Sequence, residues 1–128
     1  MNFFCVYTLN RKTFDKYCKV NKIKKKVVID VNKIIEDEEL ELSDKEILKI
    51  IIFQKIQKAM DNKKDIYYIP NYDEDFSIEK LMNIRKLLVT YTFNVLIFYE
   101  HFKGKHHIVE EALENLDKFD NSQIIKEY

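Results

Sequence analysis

The sequence predicts an α/β domain of three layers: a mostly parallel, four- to five-stranded sheet with helices on both faces. Three observations predict it. Short apolar runs rich in β-branched and aromatic residues recur along the chain, and such runs suit strands covered on both faces. Helix-period patterns separate them, and that alternation is the mark of parallel βαβ units. Glycine and proline are nearly absent, Gly104 and Pro70 alone, which fits long elements joined by polar turns. The 128 residues are expected to form a single domain over 1–128, large enough for one core without staples.

The elements follow in order. Phe3–Leu9 is the first strand candidate, followed through Asn10-Arg11-Lys12-Thr13 by a short helical stretch. Val27–Val31 (VVIDV) is the second strand. Ile34–Leu42 is acidic and is expected to be a mobile connection. A helix should begin at Ser43, where Ser43 and Glu46 have capping-box spacing and Leu42 and Ile47 stand at staple positions. Ile47, Leu48, Ile50, Ile51, Ile52, Phe53, Ile56 and Met60 give that helix so broad an apolar face that it should be largely buried. Ile66–Ile69 is the third strand. Ser77 resembles an N-cap, with Phe76 and Leu81 as staple, for a helix carrying Ile78, Leu81, Met82, Ile84, Leu87 and Leu88. Phe93–Tyr99 is the fourth strand. A helix from His107 to Phe119 presents Ile108, Val109, Ala112, Leu113 and Leu116, and Ser122–Tyr128 is either a last strand or a fraying tail.

Composition narrows the function. Apolar residues make up 46% and charged residues 34%, an ordinary balance for a water-exposed domain. No run of 18 apolar residues exists and no basic segment leads into a long apolar run, so neither membrane span nor signal peptide is expected. Cys5 and Cys18 form no CxxC pair and are expected to be buried free thiols in a reducing cytoplasm. Scarce glycine disfavours enzymes that cradle phosphate on the main chain. Basic residues are almost all Lys, with Arg11 and Arg85 the exceptions; with abundant Ile and Asn, this suits an AT-rich genome such as a phage's. Net charge is zero but divided, with nine Lys/Arg against two acids in residues 1–33 and thirteen against twenty in 34–128. The basic third could meet nucleic acid, but mutual neutralisation on the folded surface is the favoured reading.

The N-terminal segment has the layout of a phosphate loop: strand, tight turn, Lys12-Thr13, helix. The pattern G-x-x-x-x-G-K-[ST] aligns on Lys12-Thr13 with Val6 and Arg11 at its two glycine positions. Without glycine the backbone cannot easily take the positive φ that turns amides toward a phosphate. Val27-Val28-Ile29-Asp30 is an apolar run ending in an acid, and Lys103 and Lys105 follow the fourth strand within His101–His107. With these residues the chain resembles the P-loop kinase-like fold of nucleotide and polynucleotide kinases, as a degenerate member lacking the glycine-rich loop. The resemblance implies phosphate contacts at Lys12, Thr13, Lys103 and Lys105, and a magnesium site at Asp30 with Asp73 or Asp75. Flavodoxin-like and other small doubly wound folds remain open.

Other constellations carry less. His106/Glu110 and His107/Glu111 are i,i+4 pairs of zinc-ligating type, but they lack an H-E-x-x-H pattern and an evident third ligand, so no metal is expected. His101 beside Glu100 has no paired nucleophile in sight. Tyr67, Tyr68 and Tyr72 could stack on bases, but Tyr67 and Tyr68 suit a core strand and Tyr72 an exposed position beyond it. The function expected is therefore that of a non-catalytic accessory or regulatory protein, of phage type, without cofactor and acting on a protein partner. Its contact rim is expected at Tyr72, Asp73, Glu74 and Asp75 with Glu100, His101 and Phe102, and next at Lys22–Lys26. The alternatives are a kinase-like phosphotransferase and a nucleic-acid-binding module on the basic N-terminal third.

Overall fold

The computed structural model describes residues 1–41, 43–72, 78–104 and 107–126. Five strands form one parallel sheet: β1 Asn2–Tyr7, β2 Lys26–Asp30, β3 Asp65–Ile69, β4 Thr92–Phe98 and β5 Asn121–Ile125, in the order β2-β3-β1-β4-β5. The helices are α1 Arg11–Val20, α2 Val31–Asp37, α3 Lys45–Asp61, α4 Ile78–Leu87 and α5 His107–Glu114. Short 3-10 turns cover Tyr99–Phe102 and Leu116–Lys118. The three-layer α/β expectation holds, and residues 121–125 of the tail are a strand. The strand order is neither the 3-2-1-4-5-6 nor the flavodoxin-like 2-1-3-4-5 arrangement of doubly wound sheets.

Handedness decides which helix lies where. The β1-to-β2 connection runs one way along the sheet and the other three run the opposite way. Right-handed crossovers then put α1 alone on one face and α2 to α5 on the other. The core divides accordingly. Phe3, Cys5, Tyr7, Ile29, Ile66, Tyr68, Phe93, Val95 and Ile97 pack with Ile34, Ile56, Leu81, Ile84, Val109 and Ala112 of the four-helix layer. Val6, Tyr67, Ile69, Leu96, Phe98 and Ile125 pack with Phe14, Tyr17 and Cys18 of α1. Alternate residues of β1, β3 and β4 thus enter different cores, as the two-residue period of a strand requires.

Aromatic rings tie the strands together. Phe3 stacks on Phe93 at 4.8 Å and 2°, and Phe93 stacks on Phe119 at 5.5 Å and 8°. Asn94, buried on β4, donates from Nδ2 to the carbonyls of Phe3 (3.1 Å) and Thr92 (3.0 Å), and its Oδ1 accepts from Asn121 at 2.9 Å. A buried amide with both ends satisfied links β1, β4 and β5 where an apolar side chain could not.

Three helices end without glycine. Lys22, Glu39 and Lys63 hold φ of 55°, 51° and 52° just after α1, α2 and α3. Each is followed by a returning bond to the last turn: Ile23 N–H to Cys18 O (2.8 Å), Leu40 N–H to Ile35 O (2.9 Å) and Lys64 N–H to Ala59 O (3.0 Å). These are Schellman-type ends, in which glycine is the usual left-handed residue. A side chain there costs about 1 kcal/mol of local strain.

Two expectations fail here. Ile34–Leu42 is not simply a connection, because Val31–Asp37 forms α2, capped by the Asp30 side chain, which accepts from Lys33 N–H at 3.2 Å. Nor is α3 largely buried. Ile56 and Ala59 are its only buried residues, while Ile47 and Ile50 remain 50% and 56% exposed. One sheet face can receive only one side of a helix, so apolar residues spread wider than that side leave Ile47 and Ile50 outward. Leu48, Ile51, Ile52, Phe53 and Met60 are half-buried against the core.

That asymmetry sets the energetics. Ile56→Ala should cost about 2–5 kcal/mol, because the truncated chain leaves a cavity. Ile50→Ala should cost under about 0.5 kcal/mol, as surface changes do. Urea unfolding of the two variants measures the difference, and similar costs would put α3 in the wrong rotation.

Candidate functional site

β1 feeds α1 on one face of the sheet, while its neighbours β3 and β4 feed α4 and α5 on the other. The loops part beyond the carboxyl end of β1, the place where open α/β sheets bind ligands. Thr8, Asn10, Tyr72 and His101 meet there. Thr8 N–H donates to the Tyr72 hydroxyl at 2.9 Å. Thr8 Oγ1 accepts from Asn10 N–H at 3.2 Å and lies 2.9 Å from His101 Nδ1. With the proton on Nδ1, the imidazole donates to Thr8 Oγ1 and the Thr8 hydroxyl can donate to Asn10 O at 3.2 Å. In that tautomer His101 holds Thr8 and does not take its proton. The imidazole also lies flat on Phe98, 5.3 Å away at 13°.

The helix entrance is closed by the chain's own residues. Asn10 caps α1, its Oδ1 accepting from Lys12 N–H (3.0 Å) and Thr13 N–H (3.3 Å). A phosphate would need those same donors. Arg11, at the second glycine position of the loop pattern, spans from Asp15 (Nε, 2.9 Å) to Asp30 (Nη1, 2.9 Å). Burial works against the Arg11 charge, but its bonds to the two carboxylates outweigh that and hold its pKa above the ordinary value. Asp30 has one oxygen on Arg11 and the other on the α2 cap. A metal there would have to displace both.

The sequence-derived sites separate as follows. Lys12 is exposed at the first turn of α1, and Thr13 is half-buried beside it. Lys103 is exposed beyond β4, while Lys105 lies outside the described residues. Of the rim, Glu100 is exposed and His101 half-buried, and Asp73, Glu74 and Asp75 lie outside the described residues. Phe102 is fully buried. It packs edge-on against Tyr72 at 5.5 Å, and Tyr72 stacks on Tyr7 at 6.0 Å. The aromatic pair expected to anchor a partner instead plugs the core beneath the strand ends. Tyr72 is half-buried with its hydroxyl turned inward, because an unpaired phenol there would forfeit a hydrogen bond. His107 is exposed, His106 lies outside the described residues, and no group of three metal-ligating side chains occurs among the described ones. Cys5 and Cys18 are free and buried. No described helix is long and apolar enough to cross a membrane.

The sequence offered no signal for the Thr8–His101 contact, which joins residues 93 positions apart. The Asn10 cap was legible, since Asn before a helix is a capping residue. The Ser43 box was misplaced: α3 starts at Lys45, Asp44 stands at the cap position without a side-chain cap, and its carboxylate turns back to Glu41 N–H at 2.8 Å.

In comparisons by sequence and by structure, no protein-family model, no curated protein and no solved structure matches this chain.

The two helix starts make opposite predictions. Asn10→Ala should cost about 0.5–2 kcal/mol, as loss of a bonded cap does. Ser43→Ala should fall within about 0.5 kcal/mol of the parent, as exposed sites do. Equal losses in thermal melts would contradict the assigned caps.

Stability should also fall in alkali. Burial pushes the phenols of Tyr7, Tyr67, Tyr68 and Tyr72 above their ordinary value of 10.0 and the Cys5 thiol above 9.0. The unfolded chain loses these protons first, so the folded state holds more of them through the alkaline range. Their contribution is intact below about pH 9 and is lost as pH rises through the raised values. A melting temperature flat from neutrality to about pH 9 that then drops, with the phenolate absorbance of these four tyrosines appearing only on unfolding, is the expected result.

Proposed function

We propose that this protein is a non-catalytic accessory or regulatory factor that works by contact with another protein, through the outward face of the first two turns of α3. The observation that carries this reading is the exposure of Ile47 and Ile50 on the outward side of α3. Aliphatic surface at the start of α3 is suited to a partner's apolar face. The second half of the same outward side is polar, with Gln54, Gln57, Lys58 and Asp61, so the contact has a bounded apolar centre and a polar margin. The rim beyond β3 and β4 is a poorer candidate because its aromatics are spent inside the molecule.

The closed α1 entrance supports the absence of phosphate chemistry. Asn10 occupies the amides and Arg11 occupies Asp30, which suits a degenerate P-loop-like fold better than a working phosphotransferase. The lysine-rich, glycine-poor composition suits a phage-type source, and an accessory protein acting on a larger machine suits both.

Nucleotide-binding and partner-capture experiments test the reading. Millimolar ATP with Mg²⁺ should leave the melting temperature unchanged, since a ligand bound to the native state would raise it by mass action; phosphotransfer that disappears in Lys12→Ala would overturn the proposal. Ile47→Asp with Ile50→Asp should keep the parent's far-UV signal and melting temperature while losing the partner captured from the native source. A photo-crosslinker at position 50 should label that partner and one at position 16 should not. Capture that survives in the folded double variant would move the interface off α3.

A further inference from the structure

The amino end of the sheet carries a distinct surface. At the amino ends of β2 and β3, where α3 finishes, lie two adjoining open depressions. One is lined by Lys25, Asn62, Lys63, Lys64 and Asp65, and the other by Val27, Val28, Lys55, Lys58, Ala59, Asn62 and Lys64. Five lysines therefore converge on one surface. None has an ion-pair partner among the described residues, where the pairs are Arg11–Asp15, Arg11–Asp30, Lys33–Asp37 and Arg85–Asp120. Two carboxylates lie nearby, Asp65 accepting from Asn2 N–H at 2.8 Å and Asp61 from Gln57 at 2.9 Å; set against five lysines they leave a surplus of three positive charges.

The net charge of zero conceals this field. α3 runs antiparallel to the strands, so the exposed acids Glu36, Asp37, Glu38, Glu39 and Glu41 before it lie toward the carboxyl end of the sheet. The lysines lie at the opposite end. Lys63 and Lys64 lie the length of α3 from those acids, about 25 Å at 1.5 Å per residue, and Lys55 lies about 15 Å along the helix from its start; both exceed the screening length of about 8 Å at physiological salt. The basic end therefore acts as an independent positive patch.

We propose that this lysine surface binds the phosphodiester backbone of nucleic acid without reading its sequence. The ammonium groups are mobile point charges with no fixed fork, which suits a repeating phosphate chain and not one oriented carboxylate. No aromatic ring lines either depression, so the surface lacks both the hot-spot anchors of a protein interface and the platforms on which bases stack. A site of this kind holds the backbone and carries no sequence information. Lys63 occupies the left-handed position after α3, φ 52°, as Lys22 and Glu39 do after α1 and α2, and glycine there would relieve strain. Balancing the negative end of the α3 dipole needs fewer than five lysines.

The strain supplies a variant that separates the two roles. Binding is read by fluorescence anisotropy of a labelled 20-nucleotide single strand and its duplex over a salt series. Contact with three to five phosphates predicts a log–log salt slope of about −2 to −3.5 for the single strand and −3 to −4.5 for the duplex. Lys63→Gly with Lys64→Gln should flatten the slope by about 1.4–1.8, two charges' worth, and weaken binding at least tenfold at 0.1 M salt. Lys63→Gly alone should weaken binding while raising the melting temperature, which a merely structural lysine would not do. Lys16→Gln with Lys19→Gln, on α1 across the sheet, should bind as the parent does. Absent binding at low salt, an unchanged slope in the Lys63/Lys64 variant, equal loss in the α1 control, or equal competition by polyglutamate, which would mark an acidic protein as the ligand, would each overturn the proposal.

Discussion

The structure depends on the placement of β1 between β3 and β4. Its backbone pairs on both edges, with Phe3 opposite Ile66 on one side and Phe93 on the other. Its side chains enter both cores, Phe3, Cys5 and Tyr7 on one face and Val6 on the other. A slip of one residue would exchange those sets and expose every aromatic on the wrong face. The Phe3–Phe93–Phe119 stack and the Asn94 amide oppose such a slip, one by shape and the other by the cost of an unpaired buried polar group. The end of β1 then fixes what the neighbouring loops can do, because Thr8 gathers Tyr72 and His101 around it.

Scarcity of glycine is the second constraint, and it acts in two places. At the ends of α1, α2 and α3 the chain turns through left-handed residues that carry side chains, accepting strain where glycine would relieve it. At the start of α1 the same scarcity removes the phosphate cradle. The turn after β1 is closed by an asparagine cap and an arginine bridge, both of which put side chains where a P-loop would offer bare amides. A single compositional bias thus shapes both the helix ends and the turn after β1, where side chains occupy the α1 amides that a phosphate loop would leave bare.

The surface that remains is divided by chemistry. Aliphatic side chains project from the first turns of α3, and lysines line its second half, the turn after it and the residue before β2. A protein contact at one end and a phosphate contact at the other would let one helix bridge a protein partner and a nucleic acid. That arrangement fits an accessory factor better than an enzyme, since neither surface encloses a substrate or excludes water.

The sequence alone determined the layers. Apolar runs of strand length, alternating with helix-period segments, leave a parallel sheet as the arrangement that satisfies both, and each of the four main strand segments appears within a residue or two of its predicted span. It also determined that the turn after β1 has no glycine, which is a property of composition. Strand order, and with it the assignment of α1 to one face and four helices to the other, came only from tertiary structure, because pairing joins residues far apart in the chain. The same holds for the fate of the aromatics. Tyr72 and Phe102 each look exposed beyond a strand end, and only their mutual packing over Tyr7 buries them. Periodicity marked α3 as apolar but could not say which side the sheet would take, since that depends on the rotation imposed by Ile56 and Ala59. Nor could it assemble the lysine surface, whose members come from residues 25 and 55–64 and meet only because a parallel crossover returns α3 to the amino end of β2.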